Sequence, residues 1–506
     1  MMRNLIDSAI GFFAPRAGLR RIGDRARLTR AYEGASQRDG WKPKRPGASA
    51  NTDHRADAVT LRNRSRSLMQ NVPYMAQALR SHTANIIGTG IAPRWTGKNG
   101  AQFDALWKRW SRHADADGRL DVYGLQGVAY RAMQQDGEVL IRIRTRNALD
   151  RLPVPVQFQV LEIDWLDSAR TGGSTANAGN DILDGIEYDR IGKVAGYWMF
   201  DAHPGEMNAP GRSRNASRFV PASDIIHLYA PDRPGQSRGM PRAAPVIAWV
   251  RDLRVYQDAE QQRKNLESRL SVLASGDVAD MANPPDIGGT VDPASVQRTG
   301  ELGPLASGSI TQVPMGLNLT VVKPDATPGY VDYVTHQLHL IAAGFGVTYE
   351  MMTGDVSEVN FSSARIRLID YRRECEMEQW QVVIPMLCDR MCRAFADAAE
   401  LGGMVAKADY EVDYATPKWD YVNPAQDVRA DLDEIAGGMS SISEKLRRRG
   451  YKPDQVFQEL ADDLNKLKDL GILDIMLLLQ KGRVLGDGSG SAPPPDVSNK
   501  QKKAGK

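Results

Sequence analysis

Three features of this 506-residue sequence predict an α+β fold, mostly helical, in which long helices flank a small β insert. Apolar residues recur at helical spacing through most of the chain. Period-two alternation is confined to a stretch between about residues 139 and 228. A Gly- and Pro-rich segment, 276–330, separates two helical segments. Strands that follow one another without intervening helices argue for α+β and against a parallel sheet.

The N-terminal arm and linker, 1–56, are basic. Residues 1–66 carry 15 Lys/Arg against 6 Asp/Glu on a chain whose total charge is only +3, so the body is mildly acidic. Such an arm either touches nucleic acid, docks on a neighbouring acidic surface, or is a solvated tail. Leu5, Ile6, Ile10 and Phe13 share a helical face that precedes Arg16, Arg20, Arg21, Arg25 and Arg27. A secretory signal has the reverse order, so a short amphipathic helix that docks on a partner is expected instead of export. Residues 34–56 read as an exposed link.

Val59, Leu61, Leu68, Met69, Met75, Leu79 and Ile86 give a helical period split by Pro73, whose ring breaks the i−4 ladder. Phe103, Leu106, Trp107 and Trp110 mark a further amphipathic helix, and Val128, Tyr130, Ala132 and Met133 another. In Glu138–Arg146, Val139, Ile141, Ile143 and Thr145 alternate with Leu140, Arg142, Arg144 and Arg146, giving one apolar and one mostly basic face. Val154, Val156, Phe158 and Val160 repeat the period. Ile186–Tyr188 and Val194–Phe200 read as a hairpin, and Phe219–Leu228 as a further strand.

Residues 242–275 read as one long helix, free of Gly and Pro from Val246 to Ala274. In the insert, Ser309–Val313 and Leu317–Val322 are β-prone. A second helix, Val331–Ala343, ends near Gly344 and Gly346. Residues 353–361 form a loop. A third long helix runs from Ser362 to about Leu401, kinked at Pro385. Gln426–Ile435, Ser443–Arg449 and Asp454–Leu470 are helical, and the Gly-, Ser-, Pro- and Lys-rich tail from Gly482 is expected to be disordered.

Motifs for catalysis are missing. Gly97-Lys98 lacks the first glycine (Ala92 stands there) and the Ser/Thr (Asn99) of a phosphate-binding loop. The run His113-Ala-Asp115-Ala-Asp117-Gly118 lacks the ligands of a calcium loop at both ends and reads as an exposed turn. Cys375, Cys388 and Cys392 have no nearby histidine to complete a zinc site and read as small core residues. Three cysteines cannot build an extracellular disulfide framework. Asp355 and Glu358 alone are a weak case for nuclease metals. No stretch approaches the roughly 18 apolar residues of a membrane span. No catalytic residue, metal ligand or cofactor is therefore expected, and an enzyme acting on nucleic acid is the weaker alternative. A minor head protein fits the helix, β-insert, helix order poorly. A peripheral membrane protein anchored through Leu5–Phe13 is a further alternative.

An ordered set of segments resembles the lambda-type family of phage portal proteins across roughly residues 30–460. They are Arg64-Ser-Arg-Ser-Leu-Met-Gln-Asn71-Val-Pro73-Tyr74 with Asn85-Ile-Ile-Gly88-Thr-Gly90; Asp136-Gly137-Glu138-Val139; and Ile226-His227-Leu228-Tyr229 with Arg233-Pro-Gly-Gln-Ser-Arg238-Gly-Met-Pro241. The most specific is Gly346-Val-Thr348-Tyr-Glu350-Met-Met-Thr353-Gly354-Asp355 followed by Asn360-Phe361-Ser-Ser-Ala-Arg365. Trp419-Asp-Tyr-Val-Asn423-Pro424 and Gly437-Gly-Met-Ser440 close the series.

The resemblance implies a homo-oligomeric ring, usually about twelve subunits, around a channel for double-stranded DNA without sequence specificity. It implies a wing (57–241), a first stem helix (242–276), a clip (277–330) and a second stem helix (331–352). It also implies a tunnel loop (353–361), a long kinked wing helix and return (362–424), a crown (425–481) and a tail (482–506). The implied site is the tunnel loop, Asp355, Val356, Ser357, Glu358, Val359, Asn360 and Phe361, which holds no Lys or Arg. An acidic and polar wall repels phosphates and keeps DNA centred. His336 and His339, at i, i+3, are channel-lining stem candidates. Arg365 is a candidate for a phosphate or inter-subunit contact, or for pairing with a nearby carboxylate. Implied partners are the terminase large subunit, which hydrolyses the nucleotide, a head-tail adaptor and the major capsid or scaffold protein, with no membrane. The implied place is the unique capsid vertex of a virion assembled in the bacterial cytoplasm.

Overall fold

The structure, a computed structural model, describes residues 47–206, 216–268, 272–275, 318–321, 329–357, 361–405, 409–419, 424–448, 451 and 453–472. The basic arm before residue 47, the β-prone run at 309–313 and the tail after 482 lie outside the described residues.

The first helix, α1 (Ala50–Asn71), begins inside the segment read as a link, because Ser49 caps it: the Thr52 amide donates to Ser49 Oγ at 3.2 Å. Pro73 opens α2 (Pro73–Ile86) at the position where its missing N–H costs nothing. There follow β1 (Ala92–Thr96), α3 (Gly100–Trp110), α4 (Val122–Asp136), β2 (Glu138–Thr145), β3 (Val156–Glu162), β4 (Gly172–Gly173), β5 (Asp181–Leu183), β6 (Ile186–Tyr188), β7 (Val194–Phe200), β8 (Ser217–Pro221) and β9 (Ile225–Tyr229). Then come α5 (Ile247–Ser268), β10 (Val272–Ser275), β11 (Asn318–Val321), α6 (Tyr330–Phe345), α7 (Tyr349–Thr353) and α8 (Phe361–Glu378). A π-helical stretch (Gln379–Cys388) leads to α9 (Asp389–Leu401), β12 (Glu411–Ala415), α10 (Pro424–Ala436), α11 (Ile442–Arg448) and α12 (Pro453–Asp469). The fold is mostly helical α+β with several sheets and long helices.

Among the described residues, every strand pair is antiparallel. The sheets are β3-β2-β9, β4-β5-β6-β7-β8, β1-β12 and β10-β11. Val139 and Ile141 of β2 enter the large core, where Trp95, Phe103, Trp107, Trp110 and Phe395 pack ring on ring. Leu140, on the opposite face, enters a second core with Leu161, Ile163, Tyr197, Val220 and Ile225.

The chain divides into two compact units. The smaller takes in the residues up to Asp57 with Arg233–Gln236. Within it Arg233 reaches Asp53 at 3.2 Å and the Ala48 carbonyl at 3.0 Å. The larger holds Ala58–Asp232 and everything from Ser237.

Three expectations are corrected. The helix read through to residue 275 stops at Ser268, and Val272–Ser275 is strand, since Asn318–Val321 supplies its backbone partners in register from Val272↔Val321 to Ser275↔Asn318. The strand read over 219–228 is two strands in different sheets, broken by a turn at Ala222–Asp224 after Pro221. Asp115 is not in an exposed turn. It is buried, and its carboxylate accepts from the amides of Asp117, Arg119 and Leu120, each at 2.9 Å. Pro385, where a kink is expected, falls within a ten-residue π-helical stretch, Gln379–Cys388. The three cysteines are buried, as expected.

Candidate functional site

The segment from α6 to α8 is shaped by two helix ends. Gly346 closes α6 at φ 79°, where a Cβ would strain, and its N–H donates to Ala342 O at 2.9 Å. Thr348 then caps α7 by accepting from the Met351 amide at 3.3 Å. After Gly354, the Asp355 amide donates to Thr353 Oγ1 at 3.1 Å, and the Asp355 carboxylate accepts from the Ser357 amide at 3.0 Å. That bond holds the Asp355 carboxyl below its ordinary range, so it is charged at neutral pH. Asp355 and Ser357 are exposed, and Val356 is 68% exposed. Glu358, Val359 and Asn360 lie outside the described residues, and Phe361 opens α8 with only its backbone described.

The arginines beyond the loop are tied to carboxylates of the same chain. Arg365 donates to Asp427 at 2.8 Å and Arg367 to Glu350 at 2.7 Å. His336 and His339 are both exposed on α6, and the His339 ring stacks on Tyr349 with centroids 4.2 Å apart. α5 and α6 meet through Tyr256, which stacks on Tyr330 at 5.8 Å and meets Tyr333 edge-on at 4.8 Å.

Sequence reasoning missed the cluster at the root of this segment. Arg242 donates to Phe345 O at 2.6 Å, to Gln134 Oε1 at 3.2 Å and to Glu378 Oε2 at 3.0 Å. Glu378 also accepts from Tyr130 at 2.7 Å and Gln134 at 2.6 Å, with His82 Nε2 at 3.3 Å. His82 Nδ1 lies 2.9 Å from the Tyr371 hydroxyl. Burial alone would raise the Glu378 carboxyl, but the His82 hydrogen bond and the Arg242 charge bring it down to about 2. Burial lowers the His82 imidazole. The cluster therefore ties the end of α6 to α2, α4 and the last turn of α8. The sequence signal was slight: Arg242 directly follows the Gly-Met-Pro run.

A second buried pair lies under β2 and β9. Arg238 meets Glu138 at 2.7 Å, and His227 Nε2 lies 2.9 Å from the same carboxylate. Glu138 is 1% and Arg238 2% exposed. Burial opposes the charge, yet Arg238 and His227 hold the Glu138 carboxyl well below the carboxylate range. Both residues belong to motifs singled out from the sequence, but their pairing across a hundred residues was not legible there.

Among the described residues one group, Glu162, Asp164 and His203, has metal-ligand spacing. Arg66 sits 2.6 Å from Asp164 and 3.3 Å from Glu162, and Arg62 lies 2.9 Å from Asp164, so guanidinium charge already serves these carboxylates. No helix among the described residues is long and apolar enough to cross a membrane.

The family model for phage portal proteins of the lambda family matches residues 35–379. The probable portal protein of Halomonas phage phiHAP-1 is 27% identical over 470 residues, covering 88% of each chain. Portal protein B of Escherichia phage lambda is 23% identical over 338 residues, 60% of this chain and 62% of that one. Among solved structures, the neck of a native gene transfer agent particle aligns over 79% of this chain and 99% of that one, at 16% identity and a TM-score of 0.43.

Proposed function

Because the chain belongs to the lambda family of phage portal proteins, we propose that it assembles as a ring at one capsid vertex and forms the channel through which double-stranded DNA is packaged and ejected. The observation that carries this reading is the family match over 35–379, which contains α5, α6 and the loop after α7. In this reading 57–241 is the wing, 242–276 the first stem helix, 277–330 the clip and 331–352 the second stem helix. Residues 353–361 are the tunnel loop, 362–424 the long kinked wing helix and return, and 425–481 the crown. Residues 1–56 are the arm and 482–506 the tail. α5 and α6, joined through β10 and β11, support the stem and clip assignments.

The loop would work by repulsion. Asp355 is charged and exposed, Val356 projects beside it, and the nearby Arg365 and Arg367 are held by Asp427 and Glu350. A ring of such loops presents carboxylates and apolar side chains to DNA and no loose cation to grip its phosphates. The channel-facing roles of Glu358, Val359, Asn360, Phe361, His336 and His339 belong to the same proposal. The terminase large subunit and a head-tail adaptor are the partners proposed for the clip. The major capsid or scaffold protein is the partner proposed for the wing. The chain itself does no chemistry in this reading.

Negative-stain imaging with native mass measurement of the purified chain tests it. Rings with a central hole and a mass near twelve chains are expected. A monomer or dimer at every salt concentration would overturn it.

A further inference from the structure

We propose that Arg142 and Arg146, in the arginine row of β2, form a docking surface for the phosphate backbone of duplex DNA, separate from the channel loop. This rests on the reading that the chain handles DNA.

The row follows from strand geometry. Alternate residues share a face, so the three side chains stand about 6.8 Å apart along β2. In register, Arg142 faces Gln159 and Arg144 faces Gln157 on β3. The same face begins with Leu140, which is buried in the second core with Leu161 and Ile225. That core covers only the first half. From Arg142 onward the face is half-exposed, while Ile143 on the other side still packs on the large core. Folding needs one covered face here, and the other carries three guanidiniums.

Their hydrogen-bond partners set the chemistry. Arg146 Nε donates to Gln157 Oε1 at 2.8 Å, and Arg144 donates to Gln159 Oε1 at 3.1 and 2.6 Å. The glutamines are themselves anchored. Gln157 Nε2 donates to His113 O at 2.8 Å and Asp115 O at 2.9 Å, and Gln159 Nε2 to Asp117 at 3.2 Å. An amide oxygen aims a guanidinium without neutralising it, which leaves the Arg146 fork charged and pre-organised for phosphate oxygens. Among the described residues, neither Arg142 nor Arg146 forms an ion pair.

Phosphate fits better than an acidic protein. A protein interface places apolar side chains at its centre. The exposed half of this face offers arginine and glutamine, the polar, basic composition used for backbone contacts that carry no sequence information.

The test uses the full chain and a short mixed-sequence duplex, read by fluorescence anisotropy across a salt series. R142Q/R146Q removes two phosphate contacts, so the slope of log K against log salt should fall in magnitude by about 1.8. R142K/R146K should keep the slope and lose affinity, because charge remains but the fork is gone. An unchanged slope in R142Q/R146Q, or no duplex binding by the wild type, overturns the proposal. So does arginine-dependent binding of polyglutamate without such dependence for the duplex. Native mass on the same samples reads the ring separately: rings with an unchanged slope defeat this surface alone, and a monomer that still shows the slope change defeats the ring alone.

Discussion

Replacing Arg238 by methionine should destabilise the chain by about 3–5 kcal/mol, the cost of stranding one partner of a buried ion pair. The structure sets that magnitude at the high end. Arg238 gives Glu138 contacts at 2.7, 2.8 and 2.9 Å, and both side chains are 97% or more out of solvent. The carboxylate is also reached by His227 at 2.9 Å and the Gly239 amide at 3.2 Å. The pH dependence is the sharper reading. In the wild type the folded carboxyl lies below its unfolded value of about 4.3. Its contribution is therefore present above that value and lost as pH falls through the folded one. Without Arg238, burial dominates and the folded carboxyl rises above about 4.3. The sign then inverts: stability is greatest below the unfolded value and falls as pH rises through the folded one. The deficit of R238M should therefore narrow between pH 7 and pH 4.5. Urea denaturation followed by the fluorescence of the nine tryptophans would measure it. A deficit below about 1 kcal/mol, or one that stays constant with pH, would refute the assignment of a buried charged pair.

Glu378→Gln keeps the shape of the Arg242 cluster and removes its charge. It should cost about 1.5–3 kcal/mol at pH 7 in the same assay. Because the carboxyl sits at about 2, the variant should lose that part of the acid sensitivity that the wild type shows between about pH 4.3 and pH 2. Gly137→Ala should fail to fold or lose several kcal/mol (about 3 or more), since φ is 94° and a Cβ would stand 2.5 Å from Met240 C and 2.8 Å from Gly239 O; soluble yield and melting temperature check it. Burial pushes the Cys375 and Cys392 thiols up to about 12 and Cys388 well above its ordinary value, so iodoacetamide at pH 8 should label no cysteine in the native chain and all three in urea, read by mass. Asp355→Lys with Glu358→Lys should impair DNA packaging while leaving ring formation intact; unchanged packaging and retention count against the loop as the constriction.

Long helices were legible because periodicity and caps are local signals. The splits at Pro73 and around 425–470 came through to within a few residues. Pairings between distant segments were not. β1 and β12 are five residues each and join positions more than three hundred apart, from Ala92↔Ala415 to Thr96↔Glu411. Neither is long enough to show a period of its own. β10 was hidden because Val272–Ser275 continues a Gly- and Pro-free run, and only its partner strand makes it extended. The site followed the same rule. The acidic, cation-free character of the loop is written in consecutive residues. The Arg242 cluster gathers side chains from positions 82, 130, 134, 242, 371 and 378, which no spacing announces.

The exposed apolar side chains bear on how copies would meet. On the α+β part they stand singly, Leu149 and Ile191 between strands and Val59 and Val128 on helices, which is ordinary for any surface. On the later helices they recur at helical spacing: Ile366, Ile369, Met377 and Trp380 along α8 and the π-helical stretch, and Phe457, Leu460 and Leu464 along α12. On α6, Tyr333 and Leu340 share a face at i, i+7, whereas Val331 and, on α5, Trp249 and Val255 stand apart. Helix seams of this kind are stable in water when a second apolar surface covers them. A two-fold dimer needs one self-complementary patch, whereas a head-to-tail ring needs two different surfaces on each chain. Seams on several distinct helices meet the second requirement, which is why the distribution favours a closed ring over an isolated pair.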